Sequence, residues 1–182
     1  INIGEPVNSR YWESQPSISS DGRTLYFVSN RPGGKGGMDI WKSYINDHGR
    51  FSKPENLGDS INTRGTESGP FIHPDNQTLY FASDAWLGMG GLDLYVSRKG
   101  VTNQWKRPDN LGYPINTHKD EEFLIVNAKG NLAYFSSNRE GSRGKDIYNF
   151  ELYDEAQPFQ VTYVKGKVFD AVTNEKLKAK FE

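Results

Sequence analysis

The sequence predicts an all-β protein, a β-propeller segment of three four-stranded antiparallel blades followed by a short stretch of different character. Three observations carry that expectation. Thr24-Leu25-Tyr26-Phe27 recurs as Thr78-Leu79-Tyr80-Phe81 and, more loosely, as Leu132-Ala133-Tyr134-Phe135, so one segment returns every 54 residues. Apolar residues do not recur at helical spacing over any long window. Aromatics make up 13% of the chain while the hydrophobic fraction is only 35%, and 19 glycines point to short strands joined by many turns.

Within the first unit, Pro16 to Ser19 gives a short inner strand. Asp21-Gly22 is a tight-turn pair, and Arg23 to Asn30, rich in β-branched and aromatic residues, pairs back as the second strand. A glycine-rich link, Pro32 to Gly37, leads to a third strand over Asp39 to Ile45. A more polar fourth strand runs through Phe51 and Pro54 to Leu57. The same positions return later in the chain. Asp39-Ile40-Trp41 becomes Asp93-Leu94-Tyr95 and, one residue short, Asp146-Ile147-Tyr148. Asn56-Leu57-Gly58 becomes Asn110-Leu111-Gly112, Ile61-Asn62-Thr63 becomes Ile115-Asn116-Thr117, and Glu13, Glu67 and Glu121 stay in register.

A four-stranded sheet repeated at such a period is a propeller blade, too thin to bury both faces without a neighbour on each side. Rings close with about 4–8 blades. The repeats over 1–157 are therefore expected to be part of a larger propeller, the more so because Ile3-Gly4 and Val7-Asn8-Ser9 match the end of a preceding unit.

Composition removes several function classes. Twenty-two basic against 23 acidic residues leave a net charge of −1, so no global field draws in nucleic acid or an anionic membrane. No apolar run approaches the roughly 20 residues of a spanning helix. Without cysteine there is neither a disulfide framework nor a thiolate metal site. The first residues, Ile1 to Gly4, carry no targeting pattern, and any export signal is expected outside this sequence.

Candidate chemistry is sparse. Gly33 to Gly37 lacks the Gly-Lys-Ser/Thr ending and following helix of a phosphate cradle. Asp39, Asp93 and Asp146, like Glu13, Glu67 and Glu121, occur once per unit. Repetition assigns them to the fold, because an active site is needed once. The aspartates are expected to accept N–H bonds from the glycine links, and the glutamates to pair with an arginine such as Arg31 or Arg139 or to cap a loop. His48, His73 and His118 fall at unrelated positions and are read as solvated loop residues. Features that break the repeat are the better functional candidates. Trp86, Leu87 and Met89 replace a polar link, and Tyr11 and Trp12 stand where the second unit has Gly65 and Thr66. Exposed side chains of these kinds suit a protein interface or sugar stacking, the structural alternative being that they pack against the adjacent blade. No catalytic residue, cofactor or metal is expected.

Ser20-Asp21-Gly22-Arg23-Thr24-Leu25-Tyr26-Phe27-Val28-Ser29-Asn30-Arg31, followed by Gly36-Gly37-Met38-Asp39-Ile40-Trp41, resembles the WD40-like repeat called PD40, known from TolB-type propellers. The long form, with Asn-Leu-Gly and Ile-Asn-Thr, resembles that of Bacteroidetes OmpA-family outer-membrane-associated proteins, including PorE-like components of type IX secretion. The second unit departs from it with Ser83-Asp84-Ala85-Trp86 in place of Ser-Asn-Arg, and the third with Asn127-Ala128-Lys129-Gly130 at the hairpin turn. Over 158–182, Gly166-Lys167-Val168-Phe169-Asp170 is similar to the opening of a carboxypeptidase-regulatory-like β-sandwich, so a linker and the first strands of that domain are expected there.

The resemblance implies a periplasmic, outer-membrane-associated location and a non-catalytic scaffold. Envelope or secretion-machinery proteins would be its partners. Peptidoglycan would be reached only through a downstream domain, with no nucleic acid and no membrane span. The alternative is a carbohydrate-binding or carbohydrate-processing propeller, whose chemistry would fall to single-copy carboxylates such as Glu122 or Asp84.

Overall fold

A computed structural model describes residues 1–162 and 167–177. The first sheet contains Glu13–Ile18 (β1), Thr24–Ser29 (β2), Asp39–Tyr44 (β3) and Glu55–Asn56 (β4), antiparallel and in chain order. Glu67–Ile72 (β5), Thr78–Ser83 (β6), Asp93–Arg98 (β7) and Asp109–Asn110 (β8) repeat that order in the second sheet. The third comprises Glu121–Val126 (β9), Leu132–Ser137 (β10) and Asp146–Glu151 (β11).

The third sheet corrects the expectation of four strands per unit. Pro54 to Gly58 and Pro108 to Gly112 supply the short outer strands β4 and β8, and no such stretch follows β11. There the chain makes a single 3-10 turn over Asp154–Ala156 instead. The inner strands also begin earlier than their sequence suggests, at Glu13, Glu67 and Glu121. Each carries a bulge, centred on Gln15, Gly69 and Phe123 at φ of 53°, 56° and 58°. Gly69 has the most reason to be glycine, since a Cβ there would come within 3.1 Å of the Phe123 nitrogen.

Stacking of the sheets makes the core. Alternation along β2 sends Leu25 and Phe27 to one face and Tyr26 and Val28 to the other, and all four are buried. Tyr26, Val28 and Ile40 of the first sheet share one cluster with Ile61 of the following link and with Leu79, Phe81 and Tyr95 of the second sheet. Tyr80, Ala82, Leu94 and Val96 of the second share another with Leu111, Ile115, Ala133 and Phe135. Each fully buried leucine in these layers contributes about 1.5–3 kcal/mol. On the third sheet the outer face stays open. Tyr134 is 40% and Ile147 78% exposed, where their counterparts Tyr26, Tyr80, Ile40 and Leu94 are buried.

Polar side chains lock these junctions. The Asn62 amide accepts from the Ile40 N–H at 2.8 Å and donates to its carbonyl at 2.9 Å, and Asn116 brackets Leu94 in the same way at 2.8 and 2.8 Å. Each asparagine thus extends a sheet with a side chain in place of a strand. His73, read from sequence as solvated, is fully buried beside Asp75, with Nε2 3.4 Å from the Asn127 carbonyl of the third unit. It occupies the place of Ser19, at a turn that faces the next unit.

Beyond the sheets, Val168–Phe169 (β12) pairs with Lys176–Leu177 (β13) as a small hairpin. The expected sandwich strands over 158–182 fall partly on 163–166 and 178–182, which lie outside the described residues. Among the described residues no helix is long and apolar enough to cross a membrane.

Candidate functional site

One rim of the sheets collects the loops that enter the inner strands and join the second strands to the third. Here the repeated glutamates sit, each at the first residue of an inner strand. Glu67 and Glu121 are fully buried. Glu121 accepts from the Thr117 N–H at 2.9 Å, the Thr117 hydroxyl at 2.7 Å and the Ser137 hydroxyl at 2.8 Å, and pairs with Arg139 at 3.3 Å. Glu13 repeats the arrangement with Ser9, Ser29 and Arg31, the ion pair at 3.0 Å. Burial pushes the Glu13 carboxyl up, but the bonds from Ser9 and Ser29 and the Arg31 charge outweigh it and leave it below the usual value.

The second unit lacks this arginine, and Ala85 stands in its place. Glu67 keeps its bonds from Thr63 and Ser83. Burial raises its pKa, those bonds lower it in part, and nearby Asp39 adds to the rise. The arginines have a second task, since Arg31 donates to the Val7 carbonyl and Arg139 to that of Ile115. In the middle unit the Trp86 indole takes this task over, donating to the Ile61 carbonyl at 2.9 Å. Trp86 is accordingly half-buried, packed on the core between the first two sheets with Arg107 over its ring.

Asp39 accepts from the N–H groups of Lys35 and Gly36 and from Asn56 at 2.9 Å. Asp93 holds the N–H groups of Met89 and Gly90, and burial raises its pKa against those bonds. Asp146, exposed, accepts from the Arg143 N–H at 3.2 Å. The two single-copy carboxylates are also engaged: Asp84 accepts from the Thr66 N–H at 2.7 Å, and Glu122 pairs with Lys145.

The apolar rim candidates separate into two groups. Tyr11 and Trp12 precede β1, where the Trp12 N–H is held by Asn30 and Arg10 lies over the Tyr11 ring. Leu87 and Met89 stand in the β6–β7 loop, Leu87 at 88% exposure. Met89 borders a groove of about 480 Å³ with Tyr113, Pro114, His118, Arg139 and Glu140, which does not include Tyr11 or Trp12. The groove was missed in sequence because Tyr113, 79% exposed, lies in the next link rather than in Met89's own loop.

A second cavity, about 440 Å³, lies away from this rim between the first and second sheets, lined by Tyr26, Lys42, Tyr44, Glu55, Lys99 and Trp105 among others. Among the described residues no group of three or more His, Cys, Asp or Glu is placed to hold a metal ion.

No family model matches the chain, and no curated protein matches it. Among solved structures it is similar to the endo-arabinase from Bacteroides thetaiotaomicron VPI-5482, with a TM-score of 0.53 and 16% identity over 84% of this chain. It is also similar to puromycin hydrolase, with a TM-score of 0.42 and 12% identity over 77% of this chain. The chain spans 60% of the arabinase and 27% of the hydrolase. At these identities the likeness speaks to fold alone, and the arabinase supports a propeller-type arrangement of the three sheets.

Proposed function

We propose that this chain is part of a larger β-propeller that acts as a non-catalytic protein-interaction scaffold, in a periplasmic, outer-membrane-associated protein of the OmpA family. One contrast on the rim carries the reading. The repeated glutamates turn inward onto threonine, serine and arginine, while Met89 and Tyr113 stand exposed on a groove and Leu87 is exposed in the loop of Met89. Carboxylates engaged inside the fold are poorly placed for acid–base work, whereas exposed apolar and aromatic side chains around a concavity suit a protein hot spot.

The PD40-like repeat supports the envelope location, and the segment after residue 157 supports a link to a sandwich domain. Envelope or secretion-machinery proteins are the partners this reading implies, with peptidoglycan held by a downstream domain.

The test is co-purification from envelope fractions with the wild-type chain and with a Leu87→Glu, Met89→Glu double variant. Defined envelope proteins retained by the wild type and lost by the variant would support the scaffold. Equal recovery by both, or no envelope protein with either, would sink it.

A further inference from the structure

The third sheet lacks an outer strand, and residues 1–8 hold the shape of that strand and its loop without a sheet to join. In the first two units a fixed set of bonds seats the outer strand. The Asn56 side-chain oxygen accepts from the Gly58 N–H at 2.9 Å and the Asn62 amide at 3.0 Å, and that of Asn110 from Gly112 and Asn116 at 2.7 and 2.8 Å. Asn2 does the same with Gly4 and Asn8, at 2.7 and 2.7 Å. Asn62 and Asn116 go on to bracket the Ile40 and Leu94 peptides, whereas the Asn8 side-chain oxygen accepts from no donor among the described residues. The matching place on the third sheet is the open edge of β11, where Ile147 stands in register with Ile40 and Leu94.

The faces correspond as well. At the first junction Val28 and Ile40 share a cluster with Leu57, Ile61, Leu79 and Phe81. One unit earlier those four are Ile3, Val7, Leu25 and Phe27, which line a groove of about 140 Å³. One unit later the side chains that would fill such a groove, Tyr134 and Ile147, stand exposed. The rim repeats the relation, since the Glu67 and Glu121 N–H groups donate to the Met38 and Leu92 carbonyls of the preceding sheet at 2.8 and 2.7 Å. Glu13 holds that position in the first unit, beside Trp12, and Lys145 holds the acceptor position in the third.

We infer that two copies of this chain close one six-bladed ring, the third sheet of each docking on the first sheet of the other. Residues 1–4 of one copy extend β11 of the other, Asn8 brackets the Ile147 peptide, and the Ile147 side chain enters the groove of Leu25 and Phe27. Three sheets fall short of the roughly 4–8 that close a ring, and twice three lies within that range. A contact between unlike faces stops at two copies when its rotation closes. The inference rests on the larger-propeller part of the proposed function and supplies what completes the ring.

Sedimentation velocity on the whole chain tests it, and a species of twice the 20.6 kDa chain mass is expected. Ile147→Glu, which sets a carboxylate in the apolar groove, should weaken association about 100-fold or more. Asn8→Ala, which leaves the Ile147 N–H without an acceptor, should weaken it about tenfold. Val101→Glu, in the exposed β7–β8 loop of the middle unit, leaves the mass unchanged. Because the chain has no cysteine, an Ile1→Cys, Asn149→Cys variant reads the register: these positions match the Lys42–Glu55 pair, and oxidation should join two copies covalently. A monomer up to about 100 μM would overturn the inference while leaving the scaffold reading to its own co-purification test. A dimer that withstands Ile147→Glu and Asn8→Ala, each verified as folded by circular dichroism, or that does not cross-link, would overturn it too. So would assemblies that grow beyond two copies with concentration.

Discussion

Asp75 is the residue whose replacement has the most calculable effect. Its side chain is almost fully buried at the β5–β6 turn, where it accepts from the N–H groups of Gln77 and Thr78, each at 2.8 Å, and from the Thr78 hydroxyl at 2.7 Å. It also accepts from the Phe159 N–H at 2.9 Å, so one carboxylate ties the second sheet to the segment beyond the third. Burial pushes the carboxyl up, but the bonds from His73, Thr78 and Gln77 overcome this and bring it down to about 2 from its ordinary 3.8. At 1.36 kcal/mol per pH unit, the ionised form stabilises the fold by about 2 kcal/mol. Because the folded value lies below the unfolded one, this stability is present above the ordinary value and is lost as pH falls through about 2. Asp75→Asn should therefore cost about 2 kcal/mol at pH 7 and about half that at pH 3. Urea unfolding followed by circular dichroism at both pH values measures the difference. Equal stability at pH 7, or a gap that does not narrow on acidification, would refute the reasoning.

The junctions and the altered middle unit give further expectations. Asn62→Ala leaves the buried Ile40 N–H without its acceptor and should cost about 2–3 kcal/mol in chemical denaturation; a cost under about 0.5 kcal/mol would mean that the amide does not brace the sheet. Trp86→Phe keeps the ring on the core but frees the Ile61 carbonyl, for a loss of about 1–2 kcal/mol, and an unchanged melting curve would deny the indole its arginine-like task. Glu67 carries the opposite pH sign to Asp75. Its folded pKa is raised, so it stabilises below the unfolded value and that contribution is lost as pH rises through the folded one. Between pH 4 and pH 7 the stability difference should therefore shift toward Glu67→Gln, and a shift toward the wild type would contradict the burial that raises it.

Sequence and structure agree where one unit determines its own geometry. The 54-residue step placed Tyr26, Tyr80 and Tyr134 on second strands, and put Glu13, Glu67 and Glu121 at one register, because strand pairing and the tight turns are local. What spans two units was harder to read. His73 looked solvated because its cover comes from Asn127 of the next unit, and Asn62 showed its repetition but not that its partner is the Ile40 peptide. For Trp86 the sequence left open an exposed contact or packing on the adjacent blade, and what it did not show is that the indole compensates for the arginine that Ala85 removes. The third unit keeps the β11 sequence but not the Pro-x-Asn-Leu-Gly stretch, and that omission was the signal for the missing strand. The cavity beside Tyr26 likewise needs two units, since Lys99 and Trp105 of the second face Tyr26, Lys42 and Tyr44 of the first.

Central to the account is that the repeated carboxylates serve the fold rather than chemistry. Residues built for catalysis are commonly held at a cost to stability, so replacing them is neutral or stabilising, whereas a structural carboxylate is missed when it goes. Equilibrium urea unfolding of Glu121→Gln at pH 7 separates the two. If the amide oxygen keeps the Thr117 N–H, its NH2 replaces the oxygen that accepts from the Thr117 and Ser137 hydroxyls and faces the Arg139 guanidinium, and the account predicts a loss of about 2–4 kcal/mol. A variant as stable as the wild type, or more stable, would contradict it.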